Sequence, residues 1–137
     1  MSRTDALISA LYRISRAALA DAQCCCAGRN VVIKIGGAQI NSMGHGFPDH
    51  PPTSSDAMLT IMYPYFEHCI KCFGARRCMF ESNFPVDRGT IGYRSLWNCF
   101  KKTASKMGLN DQEKAEIFHD CAQRVYSVKG LGTGARL

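Results

Sequence analysis

The residues best suited to chemistry lie in the stretch Cys78 to Asp87, which reads CMFESNFPVD. Glu81 and Asp87 are carboxylates that can accept a proton, while Asn83 between them offers a neutral amide that both donates and accepts hydrogen bonds. Outside this stretch, Lys34 interrupts an apolar run. His45 and His50 sit in a Gly- and Pro-rich segment, where imidazoles could bind metal or substrate. Solvent exposure is the commoner fate of such loop histidines. Cys69 and Cys72 form a CxxC with His68 adjacent and Cys78 close behind, a pattern that raises zinc or redox chemistry.

These residues need elements to hold them. Cys78, Met79 and Phe80 make a short apolar run without helical period that ends in small polar residues and Pro85, so Cys78 to Ser82 reads as a buried strand leaving a sheet. Side chains alternate across a strand, which puts Met79, Glu81 and Asn83 on one face and Cys78, Phe80 and Ser82 on the other. A carboxylate and an amide therefore point the same way at a strand's C-terminal end, where ligands bind in parallel α/β folds. Val31 to Ile35 is β-branched apart from Lys34 and is followed by Gly36 and Gly37, a second buried strand with a close backbone approach at its end. Lys34 shares a face with Val32; it either lines a polar interior or snorkels to the sheet's end.

ESNFPVD, following a helix that ends in FGARRC, resembles the last barrel strand of the amidohydrolase-related family. These metal-dependent hydrolases include lactonases and decarboxylases, and their corresponding text often reads GSDWP. VVIKIGG at Val31 to Gly37 looks like the preceding strand and EIFHDCAQRVY at Glu116 to Tyr126 like the closing helix, so the likeness covers roughly residues 30 to 128. It implies an α/β chain that is the C-terminal fragment of a (β/α)8 TIM barrel, with two parallel strands and flanking helices. A whole barrel typically needs about 250 residues, and this chain has 137.

The resemblance further implies hydrolysis or decarboxylation of a small carboxylated or cyclic substrate. A divalent metal, zinc or manganese, would activate water in the full-length enzyme, and the Asp of the last strand would serve as ligand or proton acceptor. Asn83 stands at the position matching that Asp. An amide cannot take a proton, so Glu81 either substitutes for it or is held in an internal ion pair, and Asp87 could swing over the mouth from its loop. The family's HxH pair is absent, since His45, His50, His68 and His119 are never two apart. No metal is expected for this chain alone, and the isolated chain is expected to be inactive. Two other classes compete: a non-catalytic truncated α/β interaction domain, and a zinc or redox module built on the cysteines. The CxxC lies near a helix's C-terminal end, where the dipole raises a thiol pKa, which favours small buried hydrophobes over redox chemistry.

Composition narrows the classes. The chain is 46% hydrophobic and 20% charged, an ordinary globular balance. Its net charge of +6 is spread along the sequence rather than gathered into a stripe with aromatics, which argues against nucleic-acid binding. No apolar run reaches the roughly eighteen residues of a membrane span. Eight cysteines without a secretory signal point to a reducing compartment, hence a cytoplasmic protein, while a small-molecule substrate is what the resemblance implies.

Along the chain, residues 1–30 read as an amphipathic helix and linker, with Leu7, Leu11, Ile14 and Ala18 at helical spacing from Thr4 to Gln23. Its arginines also suit a mitochondrial transit peptide, although Asp5 and Asp21 spoil the acid-poor pattern. Residues 31–128 form the barrel segment. Within them Ala38 to Thr53 is a long loop over the mouth. Ser54 or Ser55 caps a helix interrupted by Pro64 and stopped by Gly74, burying Met62, Phe66, Cys69 and Phe73. Tyr93 to Met107 is amphipathic through Leu96, Trp97, Phe100 and Ala104. Asn110 with Glu113 caps a last helix, Asp111 to about Val128. Residues 129–137 read as a flexible tail.

Overall fold

The computed structural model describes residues 28–37 and 53–128, together with the backbone of residues 7–9. Three strands, β1 (Leu7–Ser9), β2 (Val32–Ile35) and β3 (Cys78–Phe80), form one parallel sheet in the order β1-β2-β3. Ile33, Lys34 and Ile35 stand opposite Cys78, Met79 and Phe80. The ladder continues past β3, because the Glu81 amide donates to the Ile35 carbonyl at 3.1 Å.

Two strands in parallel need a long crossover, and here it includes helix α1 (Ser55–Phe73). The Ser54 hydroxyl accepts from the Ala57 amide at 3.2 Å, and Gly74 ends the helix at φ 75°, a backbone conformation that glycine adopts without a Cβ penalty. The helix runs unbroken through Pro64, whose exposed position keeps the ring out of the core. Pro64 therefore does not begin a second helical piece. The buried stripe is Met58, Met62, Phe66, Ile70 and Phe73; Ile70 takes the fully buried place expected for Cys69, which is half-buried.

Helix α2 (Tyr93–Lys106) follows β3 and buries Leu96, Cys99, Phe100, Thr103 and Ala104. The closing helical stretch comprises α3 (Asp111–Ala115), a π-helical segment (Glu116–Asp120) and α4 (Cys121–Tyr126). Its start is a capping box: Asn110 Oδ1 accepts from the Glu113 amide and Glu113 Oε2 from the Asn110 amide, both at 2.9 Å.

The core lies on one side of the sheet. Ile33, Ile35, Cys78 and Phe80 belong to one cluster with Met58, Met62, Phe66, Ile70, Leu96 and Phe100. Phe80 stacks on Phe100 with centroids 4.3 Å apart and packs obliquely against Phe118 at 5.0 Å. Strand alternation sends Lys34, Met79 and Glu81 to the opposite face.

The N-terminal expectation needs correction. Leu7–Ser9 is a strand that pairs in parallel with Val32, Ile33 and Lys34, not part of a helix from Thr4 to Gln23. Pairing with β2 overrides a helical spacing that those three residues are too few to enforce. The run Cys24 to Cys26, the histidines at 45 and 50, and the tail 129–137 lie outside the described residues.

Candidate functional site

At the C-terminal ends of β2 and β3, Lys34 Nζ forms an ion pair with Glu81 Oε2, the two side chains 24% and 18% exposed. The register explains it. Lys34 faces Met79, and Glu81 is the next residue on the same side of β3. The hydrogen bond to Glu81 raises the Lys34 pKa above its ordinary value despite partial burial, so the ammonium is held firmly charged. Gly36 lies directly against this pair. A Cβ there would collide with the Glu81 carbonyl oxygen and sit 2.5 Å from Glu81 Cγ, so only glycine lets the backbone come this close.

Beyond Glu81 the chain turns sharply. Asn83 has φ 52°, in the left-handed region that asparagine tolerates better than most residues. Its Nδ2 donates to Asp87 Oδ1 at 2.9 Å, and its carbonyl accepts from the Asp87 amide at 3.3 Å. Asp87 lies in a 3-10 turn (Val86–Gly89) and is fully buried. Its carbonyl accepts from the amides of Thr90 and Ile91, each at 3.0 Å. Burial pushes the Asp87 carboxyl up to about 6, against the pull of the Asn83 hydrogen bond and helped by the charge of Glu81. Asp87 is therefore a fixed, interior group rather than one that swings over the mouth.

The sequence-derived candidates thus separate. Lys34 and Glu81 are paired at the strand ends, and in the turn that follows the half-buried Asn83 is bonded to the buried Asp87 carboxylate. His45 and His50 lie outside the described residues. The close backbone approach read at the end of β2 is present at Gly36, and what the sequence left open is its partner, Glu81.

Among the described residues the cysteines form no comparable centre. Burial pushes Cys69 and Cys99 up to about 11 and raises Cys78 and Cys121 as well, so all four are thiols at neutral pH. Cys72 Sγ lies 3.4 Å from His68 Nε2.

Comparison with known proteins places this arrangement. A family model described as amidohydrolase matches residues 24–128. The chain belongs to the amidohydrolase family.

Among the proteins this amidohydrolase-family chain resembles is the uncharacterized protein y4mH of Sinorhizobium fredii (strain NBRC 101917 / NGR234). The two are 45% identical over 65 residues, which cover 47% of this chain and 21% of that protein. Among solved structures, an amidohydrolase from Burkholderia multivorans with bound zinc superposes with a TM-score of 0.66 at 20% identity, over 80% of this chain and 36% of that one. The same enzyme with bound HEPES gives 0.65 at 20% identity, over 83% of this chain and 39% of that one. The chain thus spans about a fifth of the curated relative and under two fifths of the solved structures, and shares the fold of that portion.

The zinc of the Burkholderia enzyme raises the question of fit. Among the described residues no group of three or more His, Cys, Asp or Glu side chains could hold a metal ion. Glu81 is engaged by the Lys34 ammonium, and Asp87 is enclosed behind Asn83. The described residues on their own do not make up a metal centre. Among them, too, no helix is long and apolar enough to cross a membrane.

Proposed function

We propose that this chain is the C-terminal part of a (β/α)8 amidohydrolase barrel and contributes the last-strand portion of a site that hydrolyses or decarboxylates a small carboxylated or cyclic substrate. One observation carries the reading. The sheet keeps its apolar face for the helices and turns Lys34 and Glu81 to the other, with Asn83 in the turn that follows β3. In a barrel that other face is the interior, and its C-terminal rim is the mouth.

Glu81 is the carboxylate on this face and serves as the proton acceptor, with Lys34 fixing its direction. Asn83 brings no charge and orients the substrate by hydrogen bonding. A positioned general base contributes typically about 10² to 10⁴-fold in rate. An orienting hydrogen bond contributes about 0.5 to 1.5 kcal/mol, or up to roughly tenfold. In the intact family enzyme a divalent metal, zinc or manganese, would supply activated water. The isolated chain is not catalytically complete.

The test is reconstruction. The purified chain, and the same chain preceded by the upstream βα units of a family member, are assayed with zinc or manganese against small lactones and carboxylated esters by a pH-indicator method. The reading expects no turnover for the chain alone and measurable turnover for the rebuilt barrel. Turnover by the chain alone, or a rebuilt, folded barrel without turnover, would argue against it.

A further inference from the structure

Asparagine's two side-chain ends have nearly the same shape and opposite hydrogen-bonding character, so which end faces outward is decided by what the other end touches. At Asn83 that partner is the Asp87 carboxylate, 2.9 Å from Nδ2. At neutral pH the carboxylate is ionised and accepts only, so there the NH2 group must face it and the amide oxygen must face away. Both partners are held. The Asn83 carbonyl takes the Asp87 amide, and the Asp87 carbonyl takes those of Thr90 and Ile91. Asp87 is fully buried and cannot itself reach a ligand. Asn83 is only half-buried, and no described residue donates to its side-chain oxygen.

We propose that Asp87 is a positioning residue that locks the Asn83 amide so that Oδ1 faces the strand-end mouth as a neutral acceptor, selecting a substrate that presents a hydroxyl or N–H there. This rests on the reading of the strand ends as a substrate mouth. A carboxylate or carbonyl oxygen brought to the same spot meets another lone pair and is disfavoured.

The link is tested in the chain as it stands, by amide exchange of the Asn83 side chain in 15N-labelled protein. One Nδ2 proton should be protected and shifted downfield in the wild type. It should remain so in Asp87→Asn, whose amide oxygen still accepts, and lose protection in Asp87→Ala. Freely exchanging Asn83 side-chain protons in the wild type would overturn the link, whether or not Asp87→Ala folds. The substrate half is read in the rebuilt barrel with a hydroxylated lactone and its deoxy counterpart. Asp87→Ala and Asn83→Ala should each lower kcat/KM for the hydroxylated compound by up to roughly tenfold, the double variant should be no worse than either, and the deoxy compound should be little affected. Additive losses, or equal losses on both compounds, would show that Asp87 does not act through Asn83. A protected Asn83 amide combined with a silent Asn83→Ala would instead reject the mouth itself.

Discussion

Lys34, on β2, and Glu81, one residue past β3, are joined in an ion pair across the two strands, on the face that the core does not use. Both side chains are partly shielded, so the pair falls between the exposed bridges that contribute little and the buried ones that are costly to break. Lys34→Met or Glu81→Gln alone should cost about 1 to 3 kcal/mol, because each strands a partner, while the double variant should recover part of the loss. Urea denaturation of the four proteins gives the coupling. Strictly additive losses would mean that the two groups do not interact in solution.

Gly36 makes that pair possible by letting the β2 end lie against Glu81. In Gly36→Ala the new methyl would meet backbone as well as side chain, so a rotamer change cannot relieve it. We expect a loss of about 1 to 3 kcal/mol, the usual cost of overpacking, with the largest chemical-shift changes at Lys34 and Glu81. Unchanged stability and unmoved resonances would contradict the close approach.

The Asp87 carboxyl is raised to about 6 chiefly by burial. An unfolded Asp titrates near 3.9. Between those values the folded chain holds a proton that the unfolded chain has lost, so this group's contribution to stability falls as pH rises from about 4 to about 6. Asp87→Asn removes the titration. The stability of the wild type relative to that variant should therefore be greater at pH 4.5 than at pH 7.5, measured by urea midpoints. The opposite trend would mean that the carboxyl is stabilised in its charged form.

The described residues lack a three-ligand cluster, which leads to an expectation about metal content. Purified chain after mild dialysis should contain much less than one zinc or manganese per molecule by elemental analysis. A full equivalent lost on mutation of Cys69, Cys72 and Cys78 would favour the cysteine module.

Local signals account for what could be read in advance. The apolar run Cys78 to Phe80 and the β-branched run around Ile33 marked two strands, whose parallel arrangement the family resemblance implied, Ser54 and Gly74 bracketed α1, and Asn110 with Glu113 marked the last helix. Strand parity put Lys34 and Glu81 each on a defined face, but only the register Lys34 opposite Met79 brings them together. Register is a long-range property that parity alone does not fix. Leu7–Ser9 failed as a helix because its pairing with β2 is likewise long-range. The burial of Asp87 was hidden for another reason. A polar residue four positions past Asn83 in a turn reads as exposed, and only the folded loop encloses it. The π-helical turn at Glu116–Asp120 leaves no mark on the helical pattern of the sequence.

The division of labour at the strand ends is tested most directly by kcat/KM of the rebuilt barrel carrying Glu81→Gln or Asn83→Ala. Loss of the proton acceptor should cost about 10² to 10⁴-fold and loss of the orienting amide no more than roughly tenfold. A large loss for Asn83→Ala with an unaffected Glu81→Gln would contradict the assignment of the two roles.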